Sequence, residues 1–129
     1  MGGVILPTSV ATSATWQLVD FLSRQQTSVP ASGGVAALDL GQVDGGSLWL
    51  IDHAVVHCDS STPTVLRWYD SAVDPLRLLD GSDVGNFGVA DWPQGLQVRE
   101  GSSLYVVWEG AADGAVGTVT VQGRVLRRS

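Results

Sequence analysis

The side chains best suited to chemistry lie in a few short stretches. His53 and His57 are the only histidines and Cys58 the only cysteine. On a helix the two imidazoles would stand one turn apart and could share a metal ion. On a strand they face one way but lie ~13 Å apart at ~3.3 Å per residue, beyond the span of one ion. The flanking residues read as a strand, so no shared metal is expected. A jelly-roll metal site would place histidines two apart with a glutamate following, and neither pattern occurs. Cys58 would point away from His57, which therefore cannot activate it, and no serine sits in a Gly-x-Ser-x-Gly elbow. Cys58 is expected to be a small buried apolar residue.

The run Leu79-Asp80-Gly81-Ser82-Asp83-Val84-Gly85-Asn86 offers the oxygens of Asp80, Asp83 and Asn86 to a hard cation. Its spacing is not that of an EF-hand, and Asp or Asn beside Gly ordinarily bonds its own backbone in a turn. The pairs Gly2-Gly3 and Gly33-Gly34 lack the surroundings of a phosphate loop. Of the five tryptophans, Trp16, Trp49, Trp68 and Trp108 suit a core or a subunit interface. Trp92, followed by Pro93 on a loop, is the one placed to stack on a sugar ring, and is the candidate glycan contact. No catalytic, cofactor-binding or metal-binding residue is assigned, so a non-enzyme without cofactors is expected.

The chain that must position these groups has 129 residues, the size of one domain. Its 44% hydrophobic and 16% charged residues are those of a packed protein rather than a disordered one. Seven arginines, no lysine and thirteen carboxylates leave a net charge of −6, which opposes counterion-release binding, so nucleic acid is not an expected partner. One cysteine allows no internal disulfide, which suits folding in a reducing cytosol. The first basic residue is Arg24 and the apolar run Val4-Ile5-Leu6 stops at Pro7, unlike a secretory signal, and no run approaches the ~18 apolar residues of a membrane span. A soluble protein with no membrane contact is expected.

Residues 1–12 show no sustained period and read as an extended arm. Between Ser13 and Gln26 the polar Ser13, Gln17, Asp20 and Arg24 recur at helical spacing around Leu18, Val19, Phe21 and Leu22, with Asp20 and Arg24 an i,i+4 pair. That spacing predicts a short helix. A strand is the alternative, weakened because the polar positions do not keep one parity. Thr27 to Gly34, with Pro30 and Gly33-Gly34, reads as a linker.

From Val35 the pattern is β. Strands are predicted over Val35–Val43, Ser47–Cys58, Thr64–Tyr69, Leu104–Glu109 and Val116–Leu126, with a turn at Gly45-Gly46 and another over 59–63. Ser47–Cys58 is apolar on both faces, as a strand covered on two sides would be. The stretch from Asp70 to Gln97 reads as irregular, with a turn at Trp92-Pro93-Gln94-Gly95 and short strands near Leu76–Leu79 and Leu96–Val98. Strands at turn-delimited spacing without interleaved helices predict an all-β fold: an antiparallel β-sandwich or jelly roll with a short N-terminal arm and helix.

Several stretches carry a family likeness. Leu48-Trp49-Leu50-Ile51, Thr62-Pro63-Thr64-Val65, Leu79-Asp80-Gly81-Ser82, Gly85-Asn86-Phe87-Gly88-Val89-Ala90-Asp91, Leu104 to Ala111 and Ala115-Val116-Gly117-Thr118 resemble small structural proteins of tailed phages infecting actinobacteria. The resemblance covers Ser47 to Val125, and none of these motifs has a known chemistry. It implies a β-sandwich virion component, made in the bacterial cytoplasm and decorating the capsid or attached to the tail. The expected partners are the major capsid or tail protein and further copies of the chain, a trimer or a larger array.

Residues 1–30 are expected to anchor the protein through Val4, Ile5, Leu6, Trp16, Leu18, Phe21 and Leu22, with a separately folding sandwich over 35–126. A carbohydrate-binding module using Trp92 is the alternative from another class.

Overall fold

The computed structural model describes residues 15–128. Along them run β1 (Trp16–Thr27), β2 (Val35–Gln42), β3 (Ser47–Cys58), β4 (Val65–Asp70), β5 (Leu78–Ser82), β6 (Phe87–Val98), β7 (Ser103–Glu109) and β8 (Gly117–Arg128). One 3₁₀ turn, Pro75–Arg77, precedes β5, and Asp74 caps it by accepting the Leu76 N–H at 2.9 Å. The strands form two four-stranded antiparallel sheets, one in the order β1-β8-β3-β6 and the other in the order β2-β7-β4-β5. An all-β fold of two packed antiparallel sheets is what the alternation predicts.

The core lies between the sheets. Trp49, Ile51, Ala54, Val56, Val119 and Val121 of the first sheet meet Leu38, Leu40, Leu66, Trp68, Leu104, Val106 and Trp108 of the second. Apart from a change of parity in β3 between Ile51 and Ala54, each set alternates along its strand, so one face of each sheet is apolar. The buried indole of Trp108 donates its N–H to the Gly85 carbonyl at 2.9 Å. Its ring lies so close to β8 that a Cβ at Gly117 would fall 2.5 Å from it, which accounts for a glycine there.

The predicted helix over Ser13–Gln26 is not formed where the structure describes it: residues 16–27 are strand β1, paired antiparallel with β8. The register shifts between Leu18 and Asp20. A bulge at Val19 therefore reverses the parity midway, which is why Gln17, Asp20 and Arg24 fail to alternate and imitate a helical period. Beyond the bulge Leu22 enters the core, and Arg24 lays its guanidinium 4.8 Å above the Trp49 ring while donating to the Leu40 carbonyl at 3.1 Å. β1 is thus a strand of the sandwich, and a boundary at residues 30–35 does not separate it from the rest. The segment after it is also tied down, since Ser28 and Ala31 donate their N–H groups to Gly117 and Ala115.

A second bulge corrects the reading of β3. Register shifts between Ile51 and His53 against both β6 and β8. Trp49 and Ile51 face inward before it, Ala54, Val56 and Cys58 after it, so one buried face with a parity change reads in the sequence as two. Asp52, at the bulge, receives Arg124 through Nη2 at 2.9 Å and Nε at 3.2 Å. The stretch read as irregular contains the long strand β6. Its pairing with β3 passes from Asp91 opposite His53 to Leu96 opposite Ile51, leaving residues 92–95 to loop out across from Asp52.

Candidate interaction surface

The first sheet ends at β1 on one side and β6 on the other. β1 has a single buried residue, Leu22, and presents the rest of its length to solvent. Four large apolar side chains are exposed on it: Trp16, Leu18 (52%), Val19 and Phe21 (73%). Register sets Leu18, Leu126 and Leu48 in one row across β1, β8 and β3, with Phe21, Arg124 and Leu50 in the next row on the same face. Arg124 is held there by Asp52, so its charge is neutralised between Phe21 and Leu50. Trp16 is covered on one side by Arg128, whose guanidinium carbon sits 5.8 Å from its ring. The result is an apolar corner at a sheet edge.

The residues singled out in the sequence separate accordingly. Trp16, Leu18 and Phe21 lie together on β1 and are open to a partner. Leu22 is 6% exposed and packs into the chain's own core, so it is not available to one. Val4, Ile5 and Leu6 lie outside the described residues. The far end of the same sheet face carries Phe87 and Val89, both exposed, and Leu76 within the 3₁₀ turn is 92% exposed. None of these three was singled out in the sequence, although the alternation of Phe87 and Val89 with Gly88 and Ala90 is a period of two within a stretch read as irregular.

Trp92 is half-buried. Its ring meets Trp68 edge to face, centroids 5.2 Å apart at 88°, and its N–H donates to Asp80 at 2.8 Å. The indole fastens β6 to β5 across the open side of the sandwich. Its polar handle is therefore already bound.

His53 and His57 follow the bulge of β3 and face away from the core. His53 Nδ1 lies 2.6 Å from an Asp91 carboxylate oxygen on β6, and His57 is exposed next to Phe87 and Thr118. Cys58 is buried, and that burial pushes its thiol above the usual range, with Asp59 adding to the rise and a backbone hydrogen bond at Ser60 opposing it. A protonated, buried thiol is a poor nucleophile. In the 79–86 run Asp80 accepts the Gly81 N–H as well as Trp92, while the Asn86 amide donates to the Ser60 and Thr62 carbonyls and its oxygen accepts from Thr64. These are turn and loop fastenings. Among the described residues no three His, Cys, Asp or Glu side chains gather as metal ligands, and no helix is long and apolar enough to cross a membrane.

Compared with protein-family models, curated proteins and solved structures, the chain matches none.

Proposed function

We propose that the chain is a non-enzymatic virion structural protein of a tailed phage, a jelly roll that decorates or stabilises the capsid through protein–protein contacts. The jelly-roll reading is supported by the pairing of the strands. β1 lies beside β8, β2 beside β7, β3 beside β6 and β4 beside β5, each pair antiparallel. Such nesting arises when one long antiparallel ribbon is rolled into two sheets, an architecture used by capsid proteins, lectins and cupins. Fold alone assigns no function. The observation that carries the proposal is the apolar corner of β1: Trp16, Leu18, Val19 and Phe21 are exposed on an edge strand. Apolar side chains there are a liability in a free monomer and an advantage in an assembly that covers them.

The same corner is where the chain meets capsid protein or further copies of itself, as a trimer or a larger symmetric array. A buried, unreactive Cys58 suits synthesis in a bacterial cytoplasm. The glycan reading of Trp92 is the weaker one, because the indole is engaged by Trp68 and Asp80. Mass spectrometry of purified virions, separated into capsids and tails, tests the proposal. Peptides of this chain should accompany the capsid fraction at a copy number comparable with the capsid protein. Recovery with tails alone would move the protein to the tail, and absence from particles would overturn the virion assignment.

A further inference from the structure

At one end of the sandwich a cleft of about 460 Å³ opens between β1, the end of β8 and the β2–β3 connection. Its volume is that of a small-molecule site, ~300–1,000 Å³. Seven polar residues from four separate segments line it: Asp20, Ser23, Arg24, Gln42, Asp44, Ser47 and Arg127. Two observations set it apart from an ordinary surface depression.

The first is Ser47. The residue is 2% exposed, and its hydroxyl is the one buried side-chain polar atom among the described residues without a hydrogen-bond partner. A buried hydroxyl left unpaired destabilises a fold, whereas alanine in its place would carry no such cost. The second is the balance of charge. Two carboxylates and two guanidiniums line the cleft, yet none of the four ion pairs of the described residues joins them to one another. Arg24 uses one nitrogen on the Leu40 carbonyl and Asp20 one oxygen on the Phe21 N–H, which leaves further hydrogen-bonding capacity on both.

Carboxylates only accept hydrogen bonds and guanidiniums only donate them. A ligand that satisfies both kinds, in a site with no net charge, is neutral overall: either a zwitterion, with separate donor and acceptor groups, or a molecule whose groups donate and accept at once. Neighbouring hydroxyls do the latter. We infer that the cleft is a saccharide-binding site, with Ser47, Gln42 and the four charged side chains as its hydrogen-bonding groups. This site is separate from Trp92 and does not depend on the virion proposal.

The full-length chain on a broad glycan array, followed by ¹⁵N NMR titration with the saccharides retained, tests the inference, with glycine and inorganic phosphate as zwitterionic and anionic comparators. Saturable shifts at Ser47, Gln42 and the Trp49 indole are expected with saccharide. Ser47→Ala should melt no lower than the parent and bind about three- to tenfold more weakly, the effect of losing one hydrogen bond. Arg127→Gln, on the exposed rim, should weaken binding without affecting folding. Retention of no glycan, shifts that map to Trp92 instead, phosphate or glycine binding in place of saccharide, or unchanged binding by both variants would each overturn it.

Discussion

Two neighbouring residues of β1 should respond very unequally to substitution. Leu22 is packed among the buried residues of the sandwich, while Phe21 is 73% exposed. Removing a buried leucine side chain to alanine costs ~2–5 kcal/mol, the upper values belonging to sites that leave a sealed cavity. Leu22 also borders the open cleft, so water can enter the space it vacates. The low end, about 2 kcal/mol, is therefore expected for Leu22→Ala, and in a domain of this size that lowers Tm by roughly 6–10 °C. Phe21→Thr keeps a β-favouring side chain at a solvent position and should change stability by less than ~0.5 kcal/mol. Thermal and urea melts of the two variants beside the parent make the comparison. Equal behaviour, or a Leu22→Ala variant as stable as the parent, would mean that β1 does not dock on its own sandwich.

Three further outcomes follow from local contacts. Trp92→Phe should cost about 1 kcal/mol by losing the bond to Asp80, and Trp92→Ala about 2–3 kcal/mol by losing the Trp68 contact as well, measured by urea unfolding. Cys58 should react with iodoacetamide at neutral pH at least ~100-fold more slowly in the folded chain than in urea, because burial both shields the thiol and keeps it protonated. The Gly46 N–H and then the Arg128 guanidinium hold the Glu100 carboxyl below its usual range, so its ionised form is favoured by folding. That contribution is complete above the ordinary carboxylate range and fades as pH falls through the lowered folded value. The stability gap between parent and Glu100→Gln should accordingly be widest at neutral pH and close in acid.

How far the sequence reveals the fold depends on where alternation survives. β4, β7 and β8 keep their period, β2 keeps it until its register shifts between Asp39 and Gln42, and the bounds of all four can be read to within about a residue or two. β3 can be bounded but not oriented, because the bulge at Asp52 exchanges its faces. β1 and β6 are obscured for the same reason: the bulge at Val19 turns a strand's pattern into an apparent helix, and the four-residue excursion at 92–95 makes one strand look like a turn between fragments. Pairing with β8 stabilises β1 as a strand whatever its local period suggests. Among the proposed contact residues, the apolar character of Trp16, Leu18, Phe21 and Leu22 was visible, but only the register decides that Leu22 alone turns inward. The cleft was not visible, since Asp20, Gln42, Ser47 and Arg127 meet only after the sheets have stacked.

The proposed role of the exposed β1 corner, joining the sandwich to a virion, is measured by incorporation into particles. A phage lacking the gene is complemented with the parent chain or with the Leu18→Ser/Phe21→Ser double variant, and the copy number in purified particles is determined by quantitative mass spectrometry. Both changes lie on the solvent face, and the variant should melt close to the parent. Loss of two apolar anchors from an interface should reduce occupancy at least ~10-fold. A stable double variant that enters particles at the parent's copy number would contradict the account.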